Sequence, residues 1–306
     1  MGRYLAGRLG QSLFILVGIT LVTYLLLFLL PADPVRQFTR GNAPPEVVDS
    51  IRRQLGLDLP LWQQYLRYLG NLLQGDLGRS YIQKTEVATL ILSRLPATLQ
   101  LMAGAITVEL LIGLSAGVAA AANRGRAVDR VLMLASFTAV PTPQFVIGIM
   151  LLYVFAVQLN WFPIGGYGTF AHLVLPALTL GILGGGWYAR MTRSAMIDVL
   201  RQDYIVTARA KGAGPVRVLL VHALRNAALP IIAMIGLDIG IFMSGTVVVE
   251  SVFGWPGIGQ LTWQAIQLVD IPIIVGVTTV AACFIVLGNL LADLVAPFVD
   301  ARIRLR

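Results

Sequence analysis

Six stretches of roughly 20 mostly apolar residues dominate this chain, and they restrict it severely. Inside hydrocarbon no water can bond a backbone N–H or C=O, so each stretch must satisfy its own as a helix. They run approximately from Leu9 to Leu30, Ala97 to Ala122, Val131 to Leu159, Leu173 to Ala189, Ala227 to Val249, and Ile271 to Pro297. With 57% hydrophobic and 12% charged residues over 306 positions, two soluble domains are excluded and an all-α membrane protein is expected. Arg3 and Arg8 ahead of the first stretch resemble a signal peptide, but the uncharged core from Leu13 to Leu30 is too long for one and reads as a retained anchor.

Basic residues orient the spans. The net charge is +8, yet no basic run is interleaved with aromatics as a nucleic-acid surface would require, so no nucleic-acid partner is expected. If six spans alternate, Arg3 and Arg8, Arg124 to Arg130, Arg190 to Arg225 and Arg302 to Arg306 share one side. The opposite short loops, 160–172 and 250–270, contain no Lys or Arg, which predicts a cytoplasmic location for both termini. The predicted organisation is a first segment 1–30, an external helical segment 31–96, and a five-helix core 97–306 with a cytoplasmic loop 190–226.

In the external segment, Val47, Val48, Ile51 and Leu55 fall on one helical face, Leu61 to Leu73 form a second stripe, and Val87, Leu90 and Ile91 begin a third helix. Two readings fit: helices that cap the bundle or lie at the interface, and a docking platform for an external partner. Trp62 and Tyr65 on the second stripe, with Trp255 in a later outer loop, are the candidates for external partner contact. The loop 190–226 is long, basic and patterned. A helix from about Arg193 to Ala210 should place Met196, Val199, Leu200, Ile205 and Ala208 near one face and stop at Gly212-Ala213-Gly214-Pro215, and Val216 to Ala223 can restart it. Thr207, Ala208, Ala210 and Gly212 form a small-residue corner that lets another protein approach the backbone; a solvated basic hairpin held by lipid headgroups is the alternative.

Charges inside the spans are costly and normally face protein or water. Asp238, between Gly236 and Gly240, and Glu109 are candidates to line a translocation pathway or to bond helices together, and Asp293 is expected at a helix end near Arg302. Pro141 and Pro143 should kink the third span or line a cavity. Gly113, Gly117 and Gly184-Gly185-Gly186 suit close packing with a partner or flexible joints. His172 and His222 lie on opposite predicted sides, and Cys283 is a single cysteine, so neither a metal site nor a disulfide is expected within the chain. No nucleophile–base set or paired-carboxylate pocket is visible, so no catalytic residue is assigned.

The run Asp203-Tyr204-Ile205-Val206-Thr207-Ala208-Arg209-Ala210-Lys211-Gly212, followed by His222-Ala223-Leu224-Arg225-Asn226-Ala227-Ala228-Leu229-Pro230, closely resembles permeases of ABC importers of the dipeptide, oligopeptide and nickel type. Further matches are Leu55-Gly56-Leu57-Asp58, Gly75-Asp76-Leu77-Gly78, Arg94-Leu95-Pro96-Ala97-Thr98-Leu99, and Val249 to Gly259. The long insert after the first span resembles the first permease of the usual pair. The resemblance implies a type I ABC importer permease with six transmembrane helices and an external insert, in a bacterial inner membrane. It implies a second permease, two ATP-binding subunits and an external solute-binding protein as partners, with peptide as cargo and nickel chelate or glutathione as alternatives. Thr207, Ala208, Arg209, Ala210, Lys211 and Gly212 would then couple to the ATPases. Val206 and Thr207 stand where Glu and Ala are common in other importers, and Pro230 comes later than in sugar-type permeases. The two lysines, Lys84 and Lys211, lack the Gly-Lys-Ser/Thr context of a phosphate loop, so no cofactor is expected on this chain and ATP and Mg belong to the ATPase subunits. A secondary transporter should show an internal repeat between its halves, and none is visible. A cysteine replacing Trp62, in a chain whose Cys283 is changed to Ser, is expected to react with an impermeant maleimide from outside only; labelling from the cytoplasm would overturn the topology.

Overall fold

A computed structural model describes residues 2–29, 44–54 and 58–299. Leu55, Gly56, Leu57 and Arg302 to Arg306, named above, lie outside the described residues. The helices are α1 (Gly2–Leu29), α2 (Pro45–Gln54), α3 (Leu61–Leu73), α4 (Val87–Ala122), α5 (Ala127–Ala139), α6 (Gln144–Gln158), α7 (Phe170–Leu200), α8 (Asp203–Ala210), α9 (Pro215–Met243), α10 (Val247–Phe253), α11 (Ile258–Leu268) and α12 (Ile271–Val299). Among the described residues α4, α7, α9 and the stretch Ile271–Leu294 of α12 are long and apolar enough to cross a membrane, and α5 with α6 makes a fifth crossing if counted together. The apolar run of α1, Gly10–Leu25, is shorter.

Several boundaries differ from those the sequence suggests. The short helix expected at Val87 is fused to the second span, giving α4 36 residues, about 54 Å at 1.5 Å per residue. The third span is not continuous: Val140 to Pro143 interrupts it and the two halves meet at 105°, since proline removes a ladder donor and clashes with the preceding turn. The fourth span runs on past Ala189 to Leu200, so the helix expected from Arg193 to Ala210 is split between α7 and α8 by Arg201 and Gln202. The fifth ends at Met243, because Gly245 (φ +100°) turns the chain where the Gly259 backbone would overlap any Cβ.

Two helix pairs form the core. α4 and α7 approach so closely that a Cβ on Gly113 would overlap Tyr188, and one on Gly117 would meet Thr192 Cβ at 2.5 Å. Reciprocally, a Cβ on Gly181 would overlap Val108 and one on Gly184 would overlap the Glu109 carboxyl, while Gly186 packs on Ser136 and Val140 of the third span. These glycines therefore pack within the chain, rather than serving as joints. α9 and α12 repeat the device, with Gly236 against Gly288 and Ala292, and Gly240 against Ile285.

The segment between α1 and α4 is clamped to this core. Tyr65 of α3 lies 3.0 Å from Thr20 Oγ1 of α1, and Tyr68 lies 2.7 Å from Thr279 Oγ1 of α12. Asp270, 1% exposed, accepts Ser80 Oγ–H and the N–H groups of Tyr81 and Ile82, the last two at 3.2 Å. Asp293 pairs with Arg8 Nη1 at 3.1 Å and so ties α12 to α1; its expected neighbour Arg302 lies outside the described residues.

Gly70, in α3, has open space where an added methyl would sit, whereas Gly113 has none. Gly113→Ala should destabilise the detergent-purified protein by about 1–3 kcal/mol, whereas Gly70→Ala should be neutral or stabilising by up to ~1 kcal/mol. Thermal melts of the two variants that shifted in the same direction would contradict the α4–α7 packing.

Candidate coupling surface and polar centre

The end of the bundle that carries α8 is built on a single apolar plug. Ile205 of α8 is fully buried against Met196 of α7, Ala121 of α4, and Val218, Ala223 and Ala227 of α9. Val199 and Leu200 pack on the same cluster, and Ala208 is half-buried, so the expected apolar face is present even though it is divided between two helices. At the end of α8, Lys211 N–H donates to Thr207 O at 3.0 Å, Gly212 N–H to Arg209 O at 2.9 Å, and Ala213 N–H to Ala208 O at 3.1 Å. Gly212 sits at φ +82° with open space where a side chain would be, so the corner needs glycine for its left-handed backbone.

The opposite side of this element faces outward. Thr207, Arg209, Ala210, Lys211 and Gly212 line it, and all five are exposed. Around them the surface also presents Tyr204, Val206, Val216, Leu220 and Val221, of which Val216 is 65% and Val206 61% exposed. This apolar rim escaped the sequence reading, since a helical wheel drawn through an unbroken helix from Arg193 misplaces residues beyond the break at Gln202. Below the rim, Arg193 grips Asp129 through Nε and Nη2 at 2.6 and 2.8 Å, and Asp129 also accepts Gly125 N–H at 2.8 Å. That fork joins the start of α5 to the last turns of α7, and no spacing pattern in the sequence announces it. His222 contributes its carbonyl, which accepts Asn226 Nδ2–H at 2.7 Å.

Within the membrane, Asp238 and Glu109 come together with Tyr188. Tyr188 donates its hydroxyl to Asp238, linking α7 to α9. Glu109, 3% exposed, sits in the niche left by Gly184, and its Oε2 has no hydrogen-bond partner among the described residues. The sequence named both acids but missed Tyr188, a buried aromatic indistinguishable from core until its neighbours are known.

The external candidates separate. Trp62 is 61% exposed, Tyr65 is turned onto α1, and Trp255 is 1% exposed. Trp255 is therefore not presented to a partner, which corrects its assignment: its ring N–H donates to Ala97 O at 2.9 Å, and Ile258 N–H donates to Thr98 Oγ1 at 2.8 Å. Nearby, Glu250 is fully buried, with Gly257 and Gly259 leaving room for its carboxyl and Gln260 N–H donating to it at 2.6 Å. Burial pushes that carboxyl above its usual range, and the N–H donors pull it partly back. Among the described residues no group of three or more His, Cys, Asp or Glu could hold a metal ion.

Comparison with known proteins agrees with this architecture. Residues 110–305 match the family described as binding-protein-dependent transport system inner membrane component, and residues 1–102 match its N-terminal companion. The glutathione transport system permease protein GsiC of Escherichia coli (strain K12) is 37% identical over 304 residues, covering 99% of both chains. The di/tripeptide transport system permease protein DppB of Pseudomonas aeruginosa is 38% identical over 98% of both. An inward-facing structure of the MetNI methionine ABC transporter superposes with a TM-score of 0.58 at 17% identity, covering 69% of this chain and 96% of that one, and so shares its fold. With family matches across almost its whole length, the chain belongs to the inner membrane components of binding-protein-dependent transport systems and is a multi-pass transport subunit.

Proposed function

We propose that this chain is one of two permease subunits enclosing the translocation pathway of an ATP-driven importer for di- and oligopeptides, a class that includes tripeptides such as glutathione. The observation that carries the proposal is the exposed α8 corner with its apolar rim, mounted directly on the end of a membrane-crossing helix. A helix that is buried on one side by Ile205 and bare on the other suits the groove of a separate protein. That protein would be one of two ATPases, carrying ATP and Mg, and ATPase closure would move α8 together with α7. The relatives named for glutathione and for di/tripeptide transport are similar over nearly their full length, which supports the cargo class; a nickel chelate has no such support. An external solute-binding protein would deliver the cargo, with Trp62 at the exposed end of the clamped segment as one contact. Asp238 and Glu109 are assigned to the wall of the pathway as an interhelical lock whose outer edge is Asp238. In this reading the chain is a transport subunit whose ATP hydrolysis is left to its partners, and the basic loops support a cytoplasmic location for both termini.

The test is to purify the tagged chain in mild detergent, identify the co-purifying subunits, and reconstitute the complex. Gly212→Leu forces a branched side chain into φ +82°, a strain of about 1–2 kcal/mol, and obstructs the exposed corner. Peptide uptake should fall by roughly tenfold or more while ATP hydrolysis persists; unchanged uptake would remove Gly212 from the interface. Reversing the charge at Arg209 and Lys211 together should strip ATPase subunits from the complex and leave membrane insertion intact. Equal losses of both would assign these residues to folding.

A further inference from the structure

One partly buried cation, on α7, has no anion among the described residues. Arg190 follows Tyr188 by two residues on α7, so it projects from nearly the opposite side of that helix, away from Glu109 and Asp238. Its guanidinium carbon lies 4.3 Å from the Trp187 ring centroid and 5.1 Å from that of Phe137 on α5. Its Nε and Nη2 are buried and have no hydrogen-bond partner among the described residues. Asp129, the acid that α5 carries, is already occupied by Arg193 and Gly125 N–H. An arginine stays charged at any physiological pH, and buried guanidinium donors without acceptors are costly. An acceptor from outside the chain would relieve that cost.

The surroundings indicate what kind of acceptor. Trp187 and Phe137 are 56% and 58% exposed, so the two rings beside the guanidinium are themselves open to the surroundings. The proline break at Val140 to Pro143 lies at the same level, since Gly186 packs on Ser136 and Val140, and Pro141 and Pro143 are exposed there. Irregular backbone at membrane depth persists only where it is buried in protein or lines an aqueous cavity. An open break beside an unpaired cation fits the cavity. A guanidinium fork matches a carboxylate in shape and charge, and aromatic planes on either side suit a small organic anion that must bind briefly and leave.

We propose that Arg190 is a carboxylate-binding residue of the translocation pathway, held against Trp187 and Phe137 until the carboxyl terminus of a passing peptide replaces those ring contacts. This rests on the peptide-importer reading above and names the group of the cargo that this subunit recognises.

The experiment uses the complete importer in vesicles, with its binding protein, and compares ATP-driven uptake of a dipeptide carrying a free carboxyl terminus with its carboxamide. The binding protein contributes equally to wild type and variant, so the change in the acid-to-amide ratio isolates Arg190. In Arg190→Gln that ratio should fall about tenfold or more, the scale of a lost charge-assisted pair. Arg190→Lys, which keeps charge but lacks the fork, should recover part of it. An unchanged ratio in both variants would overturn the proposal and leave discrimination with the binding protein. Parallel loss of acid and amide uptake in both would also overturn it, making Arg190 a contact to the second permease. Failure of the wild-type complex to import either peptide on ATP would instead overturn the importer reading, and this inference with it.

Discussion

The close approach of α4 and α7 is the contact on which the rest of the molecule hangs. In lipid there is little hydrophobic gain from bringing two helices together, so association depends on how near the backbones can come. Gly113 and Gly117 on one helix and Gly181, Gly184 and Gly185 on the other remove the side chains that would hold them apart. Everything functional is referenced to this pair. α8 continues from the end of α7, Glu109 occupies a niche that exists only because Gly184 has no side chain, and the third span leans on Gly186.

The end away from α8 is organised differently, by buried carboxylates and an indole that bond to backbone and hydroxyl groups of neighbouring turns. Asp270 collects three donors from the turn at Ser80, Glu250 is held by the α10–α11 turn, and Trp255 reaches across to Ala97. Two sequence motifs far apart along the chain, Arg94 to Leu99 and Val249 to Gly259, prove to be the two sides of one contact. Burying polar groups there is tolerable because each meets a partner of fixed geometry. The result is a rim that cannot shift without breaking several bonds at once, in contrast to the bare apolar corner at the opposite end, around α8.

Much of this was legible in the sequence. The apolar runs, the coupling segment and the family followed from hydropathy, basic loops and ordered motifs, all of which are local signals. Glycine and proline positions announced special sites, but their roles were not local. Gly113 reads equally as a joint or a packing surface until Tyr188 is seen against it, and Pro141 and Pro143 gave no means of telling a gentle kink from a 105° bend. Trp255 looked like an exposed anchor because aromatics are common in outer loops, whereas its partner carbonyl lies on another helix. Arg193 with Asp129, and Arg190 without an acid among the described residues, differ only in tertiary surroundings. The pairing of side chains across elements is what periodicity cannot encode.

The glycine-lined seam also has a consequence in time. Gly113 and the Tyr188 that fills its groove are separated by roughly 75 residues, about 4–15 s of synthesis at ~5–20 residues per second. Throughout that interval α4 is already in the bilayer with Glu109 and an open groove facing lipid or the insertion machinery. Only the arrival of α7 shields the carboxyl. Biogenesis of this chain therefore includes a waiting state whose half-built surface must be sheltered, and the ordering of its helices in the sequence fixes how long that shelter is needed.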